Sequence, residues 1–285
     1  MYNVLGTTKL FGIIGWPIEQ SLSPIIHNGA FKYLDLDCLY VPFPVKPDLL
    51  DQSILGLKAL SIKGVNVTIP HKEKIVDKLD ELSAEAAHIG AVNTINNEEG
   101  KLKGYNTDGE GFLRAIENAG VDLDNKVIII GAGGAARAIG IHLVTKGVKE
   151  IFICNRTLNN AEKLKDDINK ICPATCKIVP FETKCIRDII GKNDLIVNTT
   201  SLGMAPNIEE SPIMTEDIFR NDIHVCDIVY NPLETLFLKN ARKKGSNIIY
   251  GYEMLLYQGA AAFEIWTGKK APVEIMRRLL ESYLL

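Results

Sequence analysis

The sequence predicts an α/β protein of two domains, each built on a β-sheet with mostly parallel strands. Three observations carry that expectation. Strand-like and helix-like segments alternate along all 285 residues, the pattern of parallel strands joined by crossover helices. A glycine-rich turn, GAGGAA at 131–136, stands between an apolar strand and a helix and opens a second alternating set. The length suits two domains of ordinary size, and a hydrophobic content of 46% is ample to fill their cores.

The elements follow in order. The first strands are LFGIIG, CLYVPFPV and IKGVNVTIP, with a helix PIIHNGAFKYL between the first two. In the third strand Val65, Val67 and Ile69 alternate with Asn66 and Thr68 at period two, and Pro70 ends the strand because it has no N–H to donate. KEKIVDKLDEL then places Ile75, Val76, Leu79 and Leu82 at helical spacing. AVNTINNEEGKLKGYNTD reads as a hairpin turning at Glu98–Gly100. GEGFLRAIENAG, near 109–120, is the helix at the domain boundary. The second set of strands is KVIII, KEIFIC, CKIVPF, DLIVNTT, HVCDIV and NIIYG. Two amphipathic helices, MLLYQGAAAFEIWTG and APVEIMRRLLESYLL, come after that sheet is complete and are expected to return to the first domain. The boundaries are therefore 1–108 with 252–285, and 109–251.

Composition excludes several classes. A net charge of −3 gives no electrostatic reason to expect nucleic acid or an acidic membrane surface. No window has the apolar run a membrane helix needs. MYNVLGTTKLFG has no basic start followed by a long apolar core, so no signal peptide is expected. Cys154 and Cys226 sit in apolar strand-like runs, as reduced core cysteines do. No Cys/His spacing fits a zinc site, so no metal is expected. A reducing, cytoplasmic compartment follows.

The glycine turn carries the most specific chemistry. It reads G-x-G-x-x-A directly after a strand and at the opening of a helix, the context that defines a dinucleotide fingerprint. Gly131 permits the tight turn, Gly133 lets the backbone approach a pyrophosphate, and Ala136 allows the helix to pack on the strand. With Ala132, Gly134 and Ala135 the segment forms a phosphate cradle at a helix N-terminus. The next strand ends IFICNRT. An NAD site puts Asp or Glu there to hold the ribose 2′-OH. Here the residues are Asn155, Arg156 and Thr157, and an arginine suits a 2′-phosphate. The cofactor reading is NADP(H), in a Rossmann-type domain.

Uncharged polar residues gather at strand ends and helix starts of the first domain. Ser21 and Ser23 stand in one loop; Ser23 before Pro24 also fits a helix N-cap. Asn66 and Thr68 share one face of a strand, and Asn93 opens another. Thr107 with Glu110 fits a capping box, with Asp108 as a first-turn acid. Ligands in open α/β sheets bind at the carboxyl ends of strands, and this set suits a small polyhydroxy ligand, with Lys72 and Asp108 as an acid/base pair. Lys72 would lie in the first turn of a helix, where the dipole disfavours a cation.

The ordered set SLSPIIHN, GVNVTIPHK, GAVNT, NTDGEGF, GAGGAARA, NRT, NTTSLGM and YQGAAAFEIWTG resembles the shikimate dehydrogenase family over nearly the whole chain. The resemblance implies a two-domain α/β enzyme with a mixed-sheet substrate domain and a deep cleft. It implies NADPH-dependent reduction of 3-dehydroshikimate to shikimate, a step of aromatic amino-acid biosynthesis, by a monomer or homodimer. It assigns the substrate carboxylate to Ser21 and Ser23, and the ring hydroxyls to Asn66, Thr68, Asn93, Asp108 and Gln258. Lys72 and Asp108 become the catalytic pair. A helix N-terminus under Lys72 would favour its neutral amine. Thr199, Met204, Ile228, Gly251 and Met254 fall at the nicotinamide end of the cofactor site, with Tyr230 beside the substrate. Many NADP-preferring members carry a second basic residue soon after NRT; here Asn160 stands in that place, with Lys163 one turn on. Two alternatives remain. One is a dehydrogenase for quinate, or for both acids. The other is a non-catalytic ligand sensor, against which stand Lys72, Asp108 and the lack of a basic patch.

Overall fold

The computed structural model describes residues 4–284. The first residues of the segment read for a signal peptide, and Leu285 at the end of the last expected helix, lie outside them. The chain forms two compact units, Met1–Thr107 with Leu256–Leu285, and Asp108–Leu255.

The first unit holds β1 (Lys9–Gly15), α1 (Ser23–Tyr33), β2 (Cys38–Pro44), α2 (Leu50–Ala59), β3 (Gly64–Val67), β4 (Glu81–Leu82), α3 (Ala84–Ile89), β5 (Thr94–Glu98) and β6 (Lys101–Tyr105). Its six-stranded sheet runs β2-β1-β3-β5-β6-β4. β1 pairs in parallel with β2 and β3; β3 with β5 and β5 with β6 are antiparallel. The hairpin turns where expected: Glu99 and Gly100 have φ of 54° and 92°, the left-handed pair that matches strand twist. Asn97 Oδ1 accepts the Gly100 N–H at 2.8 Å.

The two faces of this sheet differ. Val65, Val67, Ile14 and Ile95 face an aliphatic layer with Leu50, Ile54 and Leu57 of α2. The opposite face carries Phe11, Tyr40 and Asn66, covered by α1 and by the end of the long helix α9 (Gly251–Thr267). Trp266 of α9 lies against Phe11, and its indole donates to Ile95 O at 2.9 Å. Gly64 is required there, since a Cβ would stand 2.3 Å from that indole nitrogen. The last helix, α10 (Val273–Leu284), packs on α1, with Leu279 filling the space a side chain at Gly29 would need.

The second unit alternates α4 (Asp108–Asn118), β7 (Val127–Ile130), α5 (Gly134–Thr145), β8 (Ile151–Cys154), α6 (Leu158–Ile171), β9 (Cys176–Val179), α7 (Thr183–Ile189), β10 (Leu195–Asn198), β11 (His224–Asp227), α8 (Leu236–Lys243) and β12 (Asn247–Ile249). All six strands are parallel in the order β12-β11-β10-β7-β8-β9, the doubly wound order with its switch point beside the first strand. β7, β8 and β10 are buried along their whole length, which is why they read as continuous apolar runs.

One expected helix is absent. Residues 71–75 form turns, Val76–Lys78 a 3-10 turn, and Glu81–Leu82 the short strand β4. The helical spacing of Ile75, Leu79 and Leu82 is outweighed by tertiary pairing, because the chain must extend by residue 81 to lie parallel to β6. Ile75 is still fully buried.

Candidate functional site

In the first unit two of the polar residues expected at the site, Asn66 and Asn93, belong to one hydrogen-bonded chain beneath the strand ends. Asn66 on β3 stands opposite Thr94 on β5, and its Nδ2 donates to Thr94 Oγ1 at 3.0 Å and to Asn93 O at 3.2 Å. Asn93 Oδ1 accepts from Thr94 Oγ1 at 2.9 Å and from the Thr107 N–H at 2.8 Å, while its Nδ2 donates to Thr107 Oγ1 at 3.0 Å. At the other end the Tyr40 hydroxyl donates to Asn66 Oδ1 at 2.7 Å. Ser23, Tyr40, Asn66, Thr94, Asn93 and Thr107 are all buried. A buried network of this kind is stable only when its members are satisfied by each other.

The loops around this chain are knitted by the backbone. Thr68 N–H donates to Ile14 O at 3.0 Å, Trp16 N–H to Ile69 O at 3.0 Å, and Val92 N–H to Lys72 O at 2.8 Å. Lys72 is thereby held half-buried beside Asn93 on the chain. Gly15 leaves room for the Thr68 methyl, which would lie 2.4 Å from a Cβ there. Gln258, on α9, is buried, and the neighbouring Gly259 lets α9 approach Ile26 of α1.

Three local readings are corrected. Lys72 lies in a turn and not in the first turn of a helix, so the helix dipole offered for its position is not present. Ser23 is the first residue of α1 and makes no cap; Leu22 occupies the cap position, and Ser21 Oγ accepts the Ser23 N–H at 3.4 Å. The Thr107–Glu110 capping box does not form. Thr107 bonds Asn93, and Glu110 holds Arg114 Nε at 2.7 Å and His142 Nε2 at 3.2 Å. The His142 contact, aided by Arg114, pulls the Glu110 carboxyl down to about 2.

In the second unit the glycine turn is built by backbone. Gly131 has φ of 113°, where a side chain is strained, and a Cβ there would stand 2.5 Å from Thr199 Oγ1. Its N–H donates to Cys154 O at 2.8 Å, and Thr199 Oγ1 donates to Ile130 O at 2.7 Å. Gly133 and Gly134 have open space where side chains would be, and no side chain caps α5 among the described residues. Ala132 and Ala135 are half-buried and Ala136 is fully buried under the helix. This open, uncapped helix start fits a pyrophosphate. At the end of β8, Asn155 Nδ2 donates to Thr157 O at 2.9 Å and shapes the loop. Arg156 and Thr157 are exposed, and Arg156 makes no ion pair among the described residues, so its fork is open to an anion. These residues fit NADP(H).

The remaining cofactor-side residues stand on loops that follow β10 and β11. Asp227 anchors both. It accepts from Asn198 Nδ2 and Val229 N–H, each at 3.0 Å, and from Thr235 Oγ1 at 2.6 Å. Asn198 Oδ1 in turn accepts from Thr200 Oγ1 at 2.7 Å. Met204 is half-exposed and Ile228 and Tyr230 half-buried; burial raises the Tyr230 hydroxyl. A Cβ on Gly251 would lie 2.4 Å from Val229 O, so the start of α9 sits tight on this segment; Met254 follows, half-buried. Sequence reasoning missed Tyr40 and Asp227. An aspartate inside the apolar run HVCDIV was a signal for the second; for Tyr40 there was none in the local pattern.

The strand order, the glycine turn and the open helix start define a doubly wound dinucleotide-binding protein, here carrying a second unit with a buried polar network. Comparison with known proteins narrows that class. The model described as the shikimate dehydrogenase substrate binding domain matches residues 13–95, that for shikimate/quinate 5-dehydrogenase 115–228, and that for the shikimate 5′-dehydrogenase C-terminal domain 251–281. The chain is 46% identical to the NADP(+) shikimate dehydrogenase of Desulforamulus reducens, covering 98% of this chain and 97% of that protein. The crystal structure of the Listeria monocytogenes enzyme with shikimate and NAD is 40% identical with a TM-score of 0.93, covering 98% of this chain and 99% of that one. A shikimate dehydrogenase solved with NADP+ is 44% identical, also with a TM-score of 0.93, and covers 99% of this chain and 98% of that one. This chain belongs to the shikimate dehydrogenase family.

Proposed function

We propose that the protein interconverts 3-dehydroshikimate and shikimate with NADP(H). The observation that carries this reading is the buried chain from Tyr40 through Asn66 and Asn93 to Thr107. It offers hydroxyls and amides in a fixed array and no buried charge of its own, as suits a polyol acid. In this reading Ser21 and Ser23 take the substrate carboxylate, and Asn66, Thr68, Asn93 and Gln258 orient the ring, which supplies the positioning part of the rate. NADPH, when bound, supplies the hydride. Lys72 gives a proton to the oxygen that gains charge as the ketone is reduced, and takes it back in the oxidative direction. Asp108 is the second member of the catalytic pair and takes a ring hydroxyl. Gly131–Ala135 receive the pyrophosphate, and Arg156, with Asn155 and Thr157, the 2′-phosphate. Thr199, Met204, Ile228, Gly251 and Met254 flank the nicotinamide, with Tyr230 beside the substrate. All six cysteines are free thiols, three of them buried, which supports a reducing, cytoplasmic setting. Among the described residues no helix is long and apolar enough to cross a membrane.

The test is reduction of NADP+ and NAD+ by shikimate, with quinate in parallel, followed by absorbance of the reduced nicotinamide. Turnover is expected with shikimate and NADP+. Turnover mainly with quinate would move the reading to that acid, and none with either would favour the non-catalytic sensor.

A further inference from the structure

The segment TIPHK contains one residue that the proposed function leaves idle, His71. It is 0% exposed, and its Nε2 meets Val45 O at 2.8 Å. A carbonyl oxygen only accepts, so Nε2 carries the proton of this bond. Nδ1 is buried with no hydrogen-bond partner among the described residues. A buried ring atom left bare costs stability, and a phenylalanine of similar shape would avoid that cost. What the histidine gives in return is the donor that reaches Val45.

That bond closes a ring through the loops at the carboxyl ends of three neighbouring strands. Val45 follows β2, and its N–H donates to Gly15 O at the end of β1, at 3.0 Å. Trp16, the next residue, donates its N–H to Ile69 O beyond β3, also at 3.0 Å. Pro70 leads from Ile69 to His71, and the imidazole returns to Val45 O. The other links of this ring are covalent or join backbone groups, so the His71 link is the one that a substitution can remove. The backbone of His71 is tied as well. Its N–H donates to Thr68 O at 2.9 Å, and its carbonyl accepts the Ile75 N–H at 3.0 Å.

Lys72 follows directly from the ring. Its carbonyl accepts the Val92 N–H at 2.8 Å, so its backbone is held between the ring and the segment that leads into Asn93. Proton transfer needs a donor within hydrogen-bond reach of the oxygen that gains charge. An error of about 1 Å in such placement costs on the order of 100-fold in rate. Asn66 and Asn93 are held by bonds of their own and do not depend on the ring.

We propose that His71 is a positioning residue for the proton donor, its imidazole setting the turn from which Lys72 extends. The inference rests on the role given to Lys72 above. His71 acts through its neighbour and not on the substrate, so its effect falls on kcat.

His71→Phe keeps the ring shape and removes the donor. His71→Gln restores an N–H at similar reach, whereas the shorter His71→Asn holds its N–H away from Val45 O. The assay uses NADP+ and the acid that the parent oxidises, which is shikimate in the reading above. The kcat should fall about 10- to 30-fold in His71→Phe and His71→Asn, and return to within about threefold of the parent in His71→Gln. Both KM values should change less than about threefold. A residue that only stabilised the fold would lower the unfolding midpoint and leave kcat intact well below it. A double-mutant cycle with Lys72→Met locates the effect. In the Lys72→Met background, His71→Phe should lower the remaining rate less than about twofold, because no donor is left to place. If the parent turns over and His71→Phe keeps its kcat, or if the loss is as large without the lysine, the positioning role is wrong and the function stands. If the parent oxidises neither shikimate nor quinate, the proposed function falls and this inference with it.

Discussion

The two units solve the problem of holding a ligand in opposite ways. The first uses side chains that are also part of its interior. Ser23, Asn66 and Asn93 are 4%, 3% and 2% exposed, and the two asparagines are bonded to each other. The second uses backbone and surface. Gly133 and Gly134 are open, Gly131 is conformationally forced, and Arg156 projects into solvent. In the first unit, therefore, recognition and stability rest on the same atoms. In the second they are separable, because a peptide N–H at a helix start is present whatever the side chains are.

The largest effect expected is at Lys72, the proton donor of the proposed reaction. Lys72 is half-buried in a turn, and its carbonyl accepts the Val92 N–H. Lys72→Met should lower kcat by on the order of 10²- to 10⁴-fold, the usual worth of a general acid. The KM for shikimate should move only a few-fold. A variant with wild-type kcat would remove Lys72 from the chemistry.

Asn93→Ala sharpens the contrast from the other side. It leaves the buried Thr107 N–H without its acceptor and breaks three further contacts among Thr94, Thr107 and Asn93. The cost should be about 3 kcal/mol of stability, a fall in midpoint of roughly 6–10 °C, together with a loss in kcat/KM for shikimate. Loss of activity with an unchanged midpoint would mean that recognition and stability are separable here as well. Arg156→Ala is the matching change in the second unit. The KM for NADP+ should rise about 10- to 100-fold, as for a hydrogen bond to a charged group. The KM for NAD+ and the midpoint should stay put. Equal effects on both dinucleotides would show that Arg156 does not select the 2′-phosphate.

The same division explains what was legible in the sequence. The second unit could be read almost strand by strand, because parallel strands buried on both faces appear as unbroken apolar runs and Gly131 sits where only glycine is easy. The hairpin at Glu99–Gly100 was visible for the same local reason. The first unit yielded less. Residues 72–82 have helical spacing, yet the need to pair Glu81–Leu82 with β6 extends the chain. The Ser23 cap and the Thr107–Glu110 box were sound local chemistry: α1 instead starts at Ser23 with Leu22 in the cap position, and Asn93 and His142 take the partners of the box. Tyr40 itself is invisible locally because its meaning lies two strands away, on Asn66. Local patterns encode backbone; they do not encode which buried side chains will meet.

The smallest effect tests a charged group that the second unit buries completely. Asp227, 0% exposed, receives three donors, but burial outweighs them and pushes its carboxyl up to about 7. An unfolded aspartate titrates near 4. Below about pH 4 both states carry the proton and the group is neutral with respect to folding. Between about 4 and 7 the folded protein keeps a proton that the unfolded chain has released, so stability falls as the pH rises. Above 7 the loss is complete. Asp227→Asn cannot ionise, and its amide can still accept from Asn198 and Val229 while donating to the Thr235 hydroxyl. The midpoint of the variant relative to the parent should therefore improve by a few degrees from pH 4.5 to pH 7.5. A difference that stays flat would mean the carboxylate is ionised throughout, with the three donors outweighing burial. Asp227 would then hold the loops after β10 and β11 as a fixed charge, and the second unit would resemble the first in spending buried polar contacts on the placement of its site.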